Sequence, residues 1–369
     1  MAEIAHGGTA APAIRPPAIE IGVLGWMRKN LFGSIGSTLL TLVAGYFLVT
    51  TIPPLLDWAI FRAIWSADTS AACKAAGAGA CWAFIADKHR LIFFGTYPYA
   101  EQWRPMLATA LLMVMIVTSC DRRFWNRWLM AWWAVGLVVC SVLMWGGVLG
   151  LTYVSNLDWG GLPLTLIMAV VGSVFAFPLG MALALGRRSH MPIIRWLSVA
   201  YIELIRGVPL ITILITASVI FPLFLPAGVN IDKLLRAQVG LILFEAAYIA
   251  EIVRGGLQAV PRGQHEAADA IGLSFFQKQR KIILPQALRM VIPPLVGNFI
   301  GLFKSTTLVV VIGLFDLLNS AKAALTDLNW RGFSIELYIF TAAVYFVFCY
   351  SMSKYSQSLE RDLNKGTRR

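Results

Sequence analysis

Charge is scarce in this chain. Asp, Glu, Lys and Arg make up 14% of its 369 residues, while 58% are hydrophobic; soluble domains carry about 25% charged residues. That balance argues against a string of soluble domains and for one integral membrane unit. Histidine is nearly absent, with four scattered residues, and there are only five cysteines, so no metal site is expected. His265 and Glu266 begin like a zinc-protease H-E-x-x-H helix, but Asp269 stands where the second histidine is needed. No G-x-x-x-x-G-K-[ST] loop occurs, so the chain cannot be its own ATPase. A nucleophile, metal cluster or carboxylate pair at catalytic spacing is also missing, which argues against an enzyme. Acidic residues are few, 19 against 31 basic, for a net charge of +12. The basic clusters lack interleaved stacking aromatics, so nucleic acid is not an expected partner. The excess charge suits the anionic headgroups of membrane lipid.

Long apolar runs are what the sequence does have. A spanning helix needs roughly 20 apolar residues, and eight segments meet or approach that length. They are about 33–55, 105–119, 128–150, 161–186, 205–226, 236–255, 290–317 and 334–353. They lack strand-like alternation, so the expected fold is an all-α integral membrane protein of about eight transmembrane helices. The polar stretch from Glu203 to Arg206 at the start of the fifth span is expected at the water interface. Trp26, Trp103, Trp125, Trp128 and Trp145 fall near span ends, as an aromatic belt would. The first 20 residues are polar and small, and the first apolar run is too long for a signal h-region, so no cleavable leader is expected. Residues 1–18 read as a disordered tail, and 21–32 as a candidate interfacial helix.

Orientation follows from basic residues in the loops. With the N-terminus in the cytoplasm, 21 Lys and Arg fall on the cytoplasmic side, nine on the other, and Lys304 inside a span. Both termini are therefore expected in the cytoplasm. Residues 1–32 form a cytoplasmic tail, 33–155 an N-terminal membrane extension with an external loop at 57–104, and 156–369 a core. Cys73 and Cys81 share that external loop and could pair as a disulfide if it faces an oxidising compartment. Cys120, Cys140 and Cys349 read as packing residues.

The same count puts a polar, basic insert, 256–289, in the cytoplasm. Gly272 can end a first helix in a left-handed conformation. Ser274 can cap a second over 275–283, and Pro285 is expected to break or redirect the chain. Two short helices with Phe275 and Phe276 near the bend would fit a partner's groove. Ala267 and Ala268 would allow close approach, and Glu266 would pair with a basic group of the partner.

The spacing Glu266-Ala267-Ala268, three residues, Gly272, nine residues, Ile282, one residue, Leu284-Pro285 resembles the EAA loop of permease subunits in bacterial ABC importers. Residues 247–272, residues 201–210 (YIELIRGVPL) and Lys304-Ser305-Thr306-Thr307-Leu308 are similar to the polar amino acid branch of that family. The last departs from the branch's commoner K-D-T-S-L at Ser305 and Thr307, which puts any role for the missing acid in doubt. The matches cover roughly 160–360, and the extended N-terminal portion resembles the larger permease of general L-amino acid importers. The resemblance implies a five-helix type I ABC importer (MetI-like) core paired with a second homologous permease subunit. It also implies two copies of a cytoplasmic ATPase, which hold ATP and Mg, and a periplasmic amino acid binding protein. This chain itself would hold no cofactor and catalyse nothing.

Charges within spans are costly and are usually paired or functional. Glu251 and Arg254, three apart on one helix face, are a candidate structural ion pair. Glu245 could line the route or meet a substrate ammonium. Lys304, with Ser305, Thr306 and Thr307, could contact a carboxylate or hold helix packing. Gly297, Gly301 and Gly313 read as sites of close helix contact. An ion-coupled secondary amino acid transporter is the alternative, but it would ordinarily show an internal inverted repeat and a buried ion site.

Overall fold

The computed structural model describes residues 22–226, 228, 229 and 231–364. The expected tail 1–18 lies outside the described residues, as do the last five positions of the chain.

Two compact units emerge. One holds α1 (Gly22–Leu31), α2 (Ile35–Leu56) and most of the following loop, up to Cys81. Ser34 caps α2 through a reciprocal capping box with Ser37. Beyond α2 the chain folds back on itself. Ala80 N–H donates to the Trp58 carbonyl at 2.8 Å and Gly79 N–H to the Arg62 carbonyl at 2.8 Å. The short helix α3 (Ser70–Cys73) ends at a disulfide between Cys73 and Cys81, whose Cα atoms are 5.6 Å apart.

The larger unit runs on from Trp82. Its helices are α4 (Trp82–Phe94), α5 (Trp103–Cys120), α6 (Arg127–Trp145), α7 (Gly161–Arg187), α8 (Pro192–Arg206) and α9 (Leu210–Ile215). They are followed by α10 (Lys233–Ala259), α11 (Arg262–Ala270), α12 (Phe275–Lys278), α13 (Leu284–Ser305), α14 (Leu317–Ala324) and α15 (Ser334–Asn364). The predicted extension 33–155 is thus divided between the two units. Its α5 and α6 share a core with the later helices: Ala108, Leu112, Met115, Cys140 and Met144 join one buried cluster with Leu164, Met168, Leu302 and Phe303. A second cluster joins α7, α8, α10 and α13 through Ala176, Ile202, Ile249, Val253, Leu257, Ile283 and Ala287.

Among the described residues, six helical stretches are long and apolar enough to cross a membrane: Ile35–Phe61, Tyr99–Cys120, Arg127–Trp145, Gly161–Arg187, Phe275–Ile312 and Ser334–Leu363. The expected span 205–226 is instead a bent pair, Pro192–Arg206 and Leu210–Phe224, turned by 104°. Pro209 explains the break, because a residue before proline is disfavoured in the helical region. α10 has 27 residues, but Arg236, Glu245, Glu251 and Arg254 make it too charged to read as a span by composition. Eight spans are therefore not confirmed as a count.

Other expected boundaries also move. The segment expected at 128–150 stops at Trp145, where Arg104 Nε donates to the Leu143 carbonyl at 2.7 Å and Val154 N–H to the Trp145 carbonyl at 2.8 Å. Those bonds satisfy carbonyls that a helix end leaves open. The segment expected at 290–317 stops at Ile312, because Phe315–Asp316 is extended and pairs with Gly160 and Gly161 in two parallel bridges. The region 57–104, expected as a loop, contains α4. Its Phe84 ring packs 6.0 Å from Trp330 and 5.9 Å from Phe333, and Lys88 Nζ lies 2.6 Å from Asp327 Oδ2.

The Gly160–Gly161 bridge anchors this end of the unit. Gly161 N–H donates to Ser320 Oγ at 3.0 Å, and Leu317 N–H to Thr165 Oγ1 at 2.9 Å. Asp316, fully buried, accepts from the Tyr345 hydroxyl at 2.8 Å and from Asn319 Nδ2 at 2.5 Å. Gly161 has φ +66°, and a Cβ there would run into the Phe93 carbonyl. Gly161→Ala is expected to cost on the order of 2–4 kcal/mol, from left-handed strain and overpacking together. A lowered thermal melting point of the purified protein in detergent checks this. Gly36→Ala, at an open helical site, should leave melting unchanged.

Candidate functional site

The polar insert forms two short helices joined by a tight turn. α11 begins after Pro261 and ends at Gly272, whose φ is +72°. Leu273 N–H donates to the Ala268 carbonyl at 3.2 Å and Gly272 N–H to the Asp269 carbonyl at 3.0 Å. That pair of bonds is the Schellman closure. Ser274 caps α12 with a reciprocal bond from Gln277. Lys278 Nζ then reaches back to Asp269 Oδ1 at 2.6 Å and fixes the angle between the two helices.

The expected break at Pro285 does not occur. The helix runs continuously from Phe275 to Ile312, with one wide turn at Gln279–Ile283 directly before the proline. Pro285 sits in the first turn of α13, where the missing N–H is tolerated after the wider loop.

The triplet divides by helical phase. Glu266 and Ala267 are exposed, whereas Ala268 is 0% exposed and turned into the body of the chain. Ala268 therefore does not offer close approach to a partner; a 100° step per residue turns it inward. Ile282 and Leu284 are half-buried against the second core cluster, beside buried Ile283, and Pro285 is exposed. The outward tip carries Ile271, Phe275 and Phe276, all largely exposed. His265 is held below its ordinary imidazole range by burial, then by the charges of Arg188 and Lys278, with Asp269 opposing.

Glu251 is the centre of a charge cluster at the root of this element. Its side chain is 14% exposed. Arg254 Nη2 lies 2.8 Å from Oε2, Arg187 Nη1 2.7 Å from Oε1, and Arg206 Nη1 3.6 Å from Oε2. Arg187 Nη1 also reaches Glu203 Oε1 at 3.0 Å. The pair of Glu251 and Arg254 is thus part of a five-residue node that joins the ends of α7, α8 and α10. Arg188 adds a bond from Nη1 to the Leu257 carbonyl at 2.9 Å. The Tyr201 hydroxyl donates to the Leu243 carbonyl at 2.7 Å, and Arg206 lies over the Tyr248 ring.

The candidate route residues do not converge. Glu245, 3% exposed, accepts from Asn298 Nδ2 at 2.5 Å, across α10 and α13. Lys304 is exposed. Thr306 is buried and its hydroxyl donates to the Phe303 carbonyl at 2.9 Å; Thr307 donates to the Lys304 carbonyl at 3.1 Å. Both threonines therefore hold local helix structure, and Ser305 is half-buried. Gly297 and Gly301 do not mark close contacts within this chain, since a Cβ at either would meet nothing within 4 Å.

Residues 176–365 match the family described as binding-protein-dependent transport system inner membrane component. The chain is 49% identical over 347 residues to the inner membrane amino-acid ABC transporter permease protein YhdY of Escherichia coli K12, covering 92% of this chain and 93% of that protein. The chain belongs to this permease family. It is also 38% identical over 436 residues to the glutamate/glutamine/aspartate/asparagine transport system permease protein BztC of Rhodobacter capsulatus, over the whole of both chains. A crystal structure of an amino acid ABC transporter with histidines aligns to 55% of this chain and 92% of that one, at 35% identity and TM-score 0.49. As a member of the family, the chain is a multi-pass, membrane-embedded permease.

Within this permease, sequence reasoning missed Arg187, Arg206 and Asn298 as partners of the charges it singled out. The signal at Arg206 points elsewhere: its i,i+3 spacing from Glu203 suggests that pair, whereas its ion-pair contact is to Glu251. Arg187 and Asn298 had none, because their partners lie 64 and 53 residues away.

Proposed function

We propose that this chain is a permease subunit of an ATP-driven importer of L-amino acids in a bacterial inner membrane, with both termini in the cytoplasm. It forms the path with a second homologous permease subunit. Two copies of a cytoplasmic ATPase hold the ATP and Mg, and a periplasmic binding protein delivers the amino acid. This chain is non-catalytic and carries no cofactor of its own. The single observation that most supports the coupling role is the division of the 266–285 segment. Glu266, Ile271, Phe275 and Phe276 face outward, while Ala268 and Ile283 are locked into the chain's own core. Such an element presents an apolar tip and an acidic edge to a partner groove, with a rigid base behind it. The cargo class is supported by what the printed names of the relatives say of those proteins.

In this reading, closure of the ATPases displaces the tip, and the node around Glu251 carries that displacement to α7, α8 and α10. Glu245, with Asn298, and Lys304 are the candidate charges along the route. The test is uptake of labelled L-amino acids into proteoliposomes holding this chain and its co-purifying subunits. Uptake should require enclosed ATP at the ATPase side and survive collapse of proton and sodium gradients. Uptake that needs a gradient and ignores ATP would establish the secondary transporter instead.

A further inference from the structure

Beside the root of the coupling element lies a cavity of about 940 Å³, between the end of α7, the start of α8 and the end of α10. Its walls include Arg187, Arg188, His190, Arg195, Trp196 and Arg254. The ion pairs of this region reach only two carboxylates, Glu203 and Glu251. Five arginines, counting Arg206, therefore stand against two negative charges. Arg188 is exposed and spends one N–H on a backbone carbonyl. Arg195 is exposed, and its side chain makes no hydrogen bond or ion pair among the described residues.

The helix that carries Arg195 is apolar on its outer side. Ile193, Trp196, Leu197 and Leu204 are all exposed, while Ser198 and Ile202 face inward. Positions 193, 196, 197 and 204 fall on one helical face. Trp196 belongs both to this face and to the cavity wall, which is the placement expected at a headgroup boundary. A basic cavity opening onto an apolar stripe matches a ligand with an anionic head and an apolar tail. A zwitterionic lipid brings its own ammonium beside the phosphate and so offsets less of the arginines' charge. A soluble acidic ligand would leave the stripe uncovered.

We propose that this cavity seats the phosphate of an anionic phospholipid in the leaflet on the coupling-element side. Its acyl chains lie along Ile193, Trp196, Leu197 and Leu204. Guanidinium groups of Arg188 and Arg195 take the phosphodiester oxygens, for which their fork geometry is suited. Arg188 also holds the Leu257 carbonyl, so an occupied cavity stiffens the point where α10 passes into the coupling element. The proposal requires only that the chain is membrane-embedded, and is independent of which cargo it carries.

The test is native mass spectrometry of the full chain, with its co-purifying subunits, released from detergent after exchange with dioleoyl phosphatidylglycerol or dioleoyl phosphatidylcholine. The parent protein should retain phosphatidylglycerol preferentially. Arg195→Gln should weaken retention about fivefold, and Arg188→Gln with Arg195→Gln about 25-fold, at roughly one such factor per basic residue near the surface. Arg195→Lys should keep most of the retention. Should the double variant fail to fold, Arg195→Gln alone decides, since Arg195 supports no other contact. Equal retention of the two lipids by the parent overturns the proposal, as does full retention by Arg195→Gln. Displacement of phosphatidylglycerol by millimolar inorganic phosphate would assign the cavity to a soluble anion and also overturn it. Loss of a co-purifying ATPase with lipid retention unchanged would make the surface a protein contact, with the same consequence.

Discussion

Glu266→Lys and Gly272→Pro should each abolish amino acid uptake while leaving the protein in the membrane at normal abundance. The two act by different physics. Glu266 is exposed and makes no bond within the described residues, so reversing its charge leaves the fold alone. In the proposed coupling reading, what changes is the contact with a basic group of the ATPase, where opposite charge becomes like charge. Melting of Glu266→Lys should therefore match the parent, and pull-down of the ATPase subunit should fail. Gly272 sits at φ +72° and its N–H closes the turn onto Asp269. Proline is locked near −65° and has no N–H, so the turn must open at a cost of about 3 kcal/mol. The tip residues Phe275 and Phe276 then lose their orientation. Gly272→Ala, with left-handed strain of about 1–2 kcal/mol, should give partial uptake. Normal uptake by either Glu266→Lys or Gly272→Pro would sink the coupling assignment.

Glu251→Gln is expected to be the most destabilising single change at the charge node. The substitution removes the one carboxylate shared by Arg187, Arg206 and Arg254, and leaves three guanidinium groups facing one another. Breaking a buried pair in this way typically costs about 3–5 kcal/mol. The arginines here keep 24–37% of their side-chain surface exposed, so screening reduces the cost to on the order of 2–3 kcal/mol. Glu203→Gln should stay within about 1 kcal/mol, because Glu203 is exposed and serves one arginine. Thermal melting in detergent separates the two, and added salt should narrow the gap by screening the repulsion among the arginines. Pairing Glu251→Gln with Arg187→Gln should recover part of the loss, as contacting residues are non-additive. Equal melting of Glu251→Gln and the parent would show that the node contributes nothing to holding α7, α8 and α10 together.

Much of the membrane architecture was legible because hydrophobicity is local. The stretch Gly161–Arg187 read directly from its apolar run, and Ser334–Leu363 did so at its start, although the helix continues ten residues past the expected end at 353. What escaped depended on distant partners. α4 lies in a region expected as a loop, and its Phe84 becomes core only through Trp330 and Phe333, far along the chain. The bend at Pro209 was in principle readable, since proline restricts the residue before it, but the apolar run on either side masked it. In the coupling element, spacing located Gly272 and Ser274 as helix stop and start. It did not reveal which alanine turns inward, because that depends on how α11 is rotated against a core assembled from other helices. The Glu251–Arg254 spacing was visible as one helix turn; the three further members of the node were brought in by α7 and α8.

The unbroken helix from Phe275 to Ile312 has a mechanical consequence. At 1.5 Å per residue its 38 residues make a rod of roughly 57 Å, longer than the hydrocarbon thickness of about 30 Å. One end is the exposed aromatic tip, and the other carries Thr306 and Thr307. In the proposed coupling reading, a stroke applied at the tip reaches the far leaflet along one continuous helical element. The wide turn at Gln279–Ile283, the Pro293–Pro294 pair and the tighter coil at Thr306–Ile312 are the irregular points along it where, in the proposed coupling reading, that stroke can be converted into rotation.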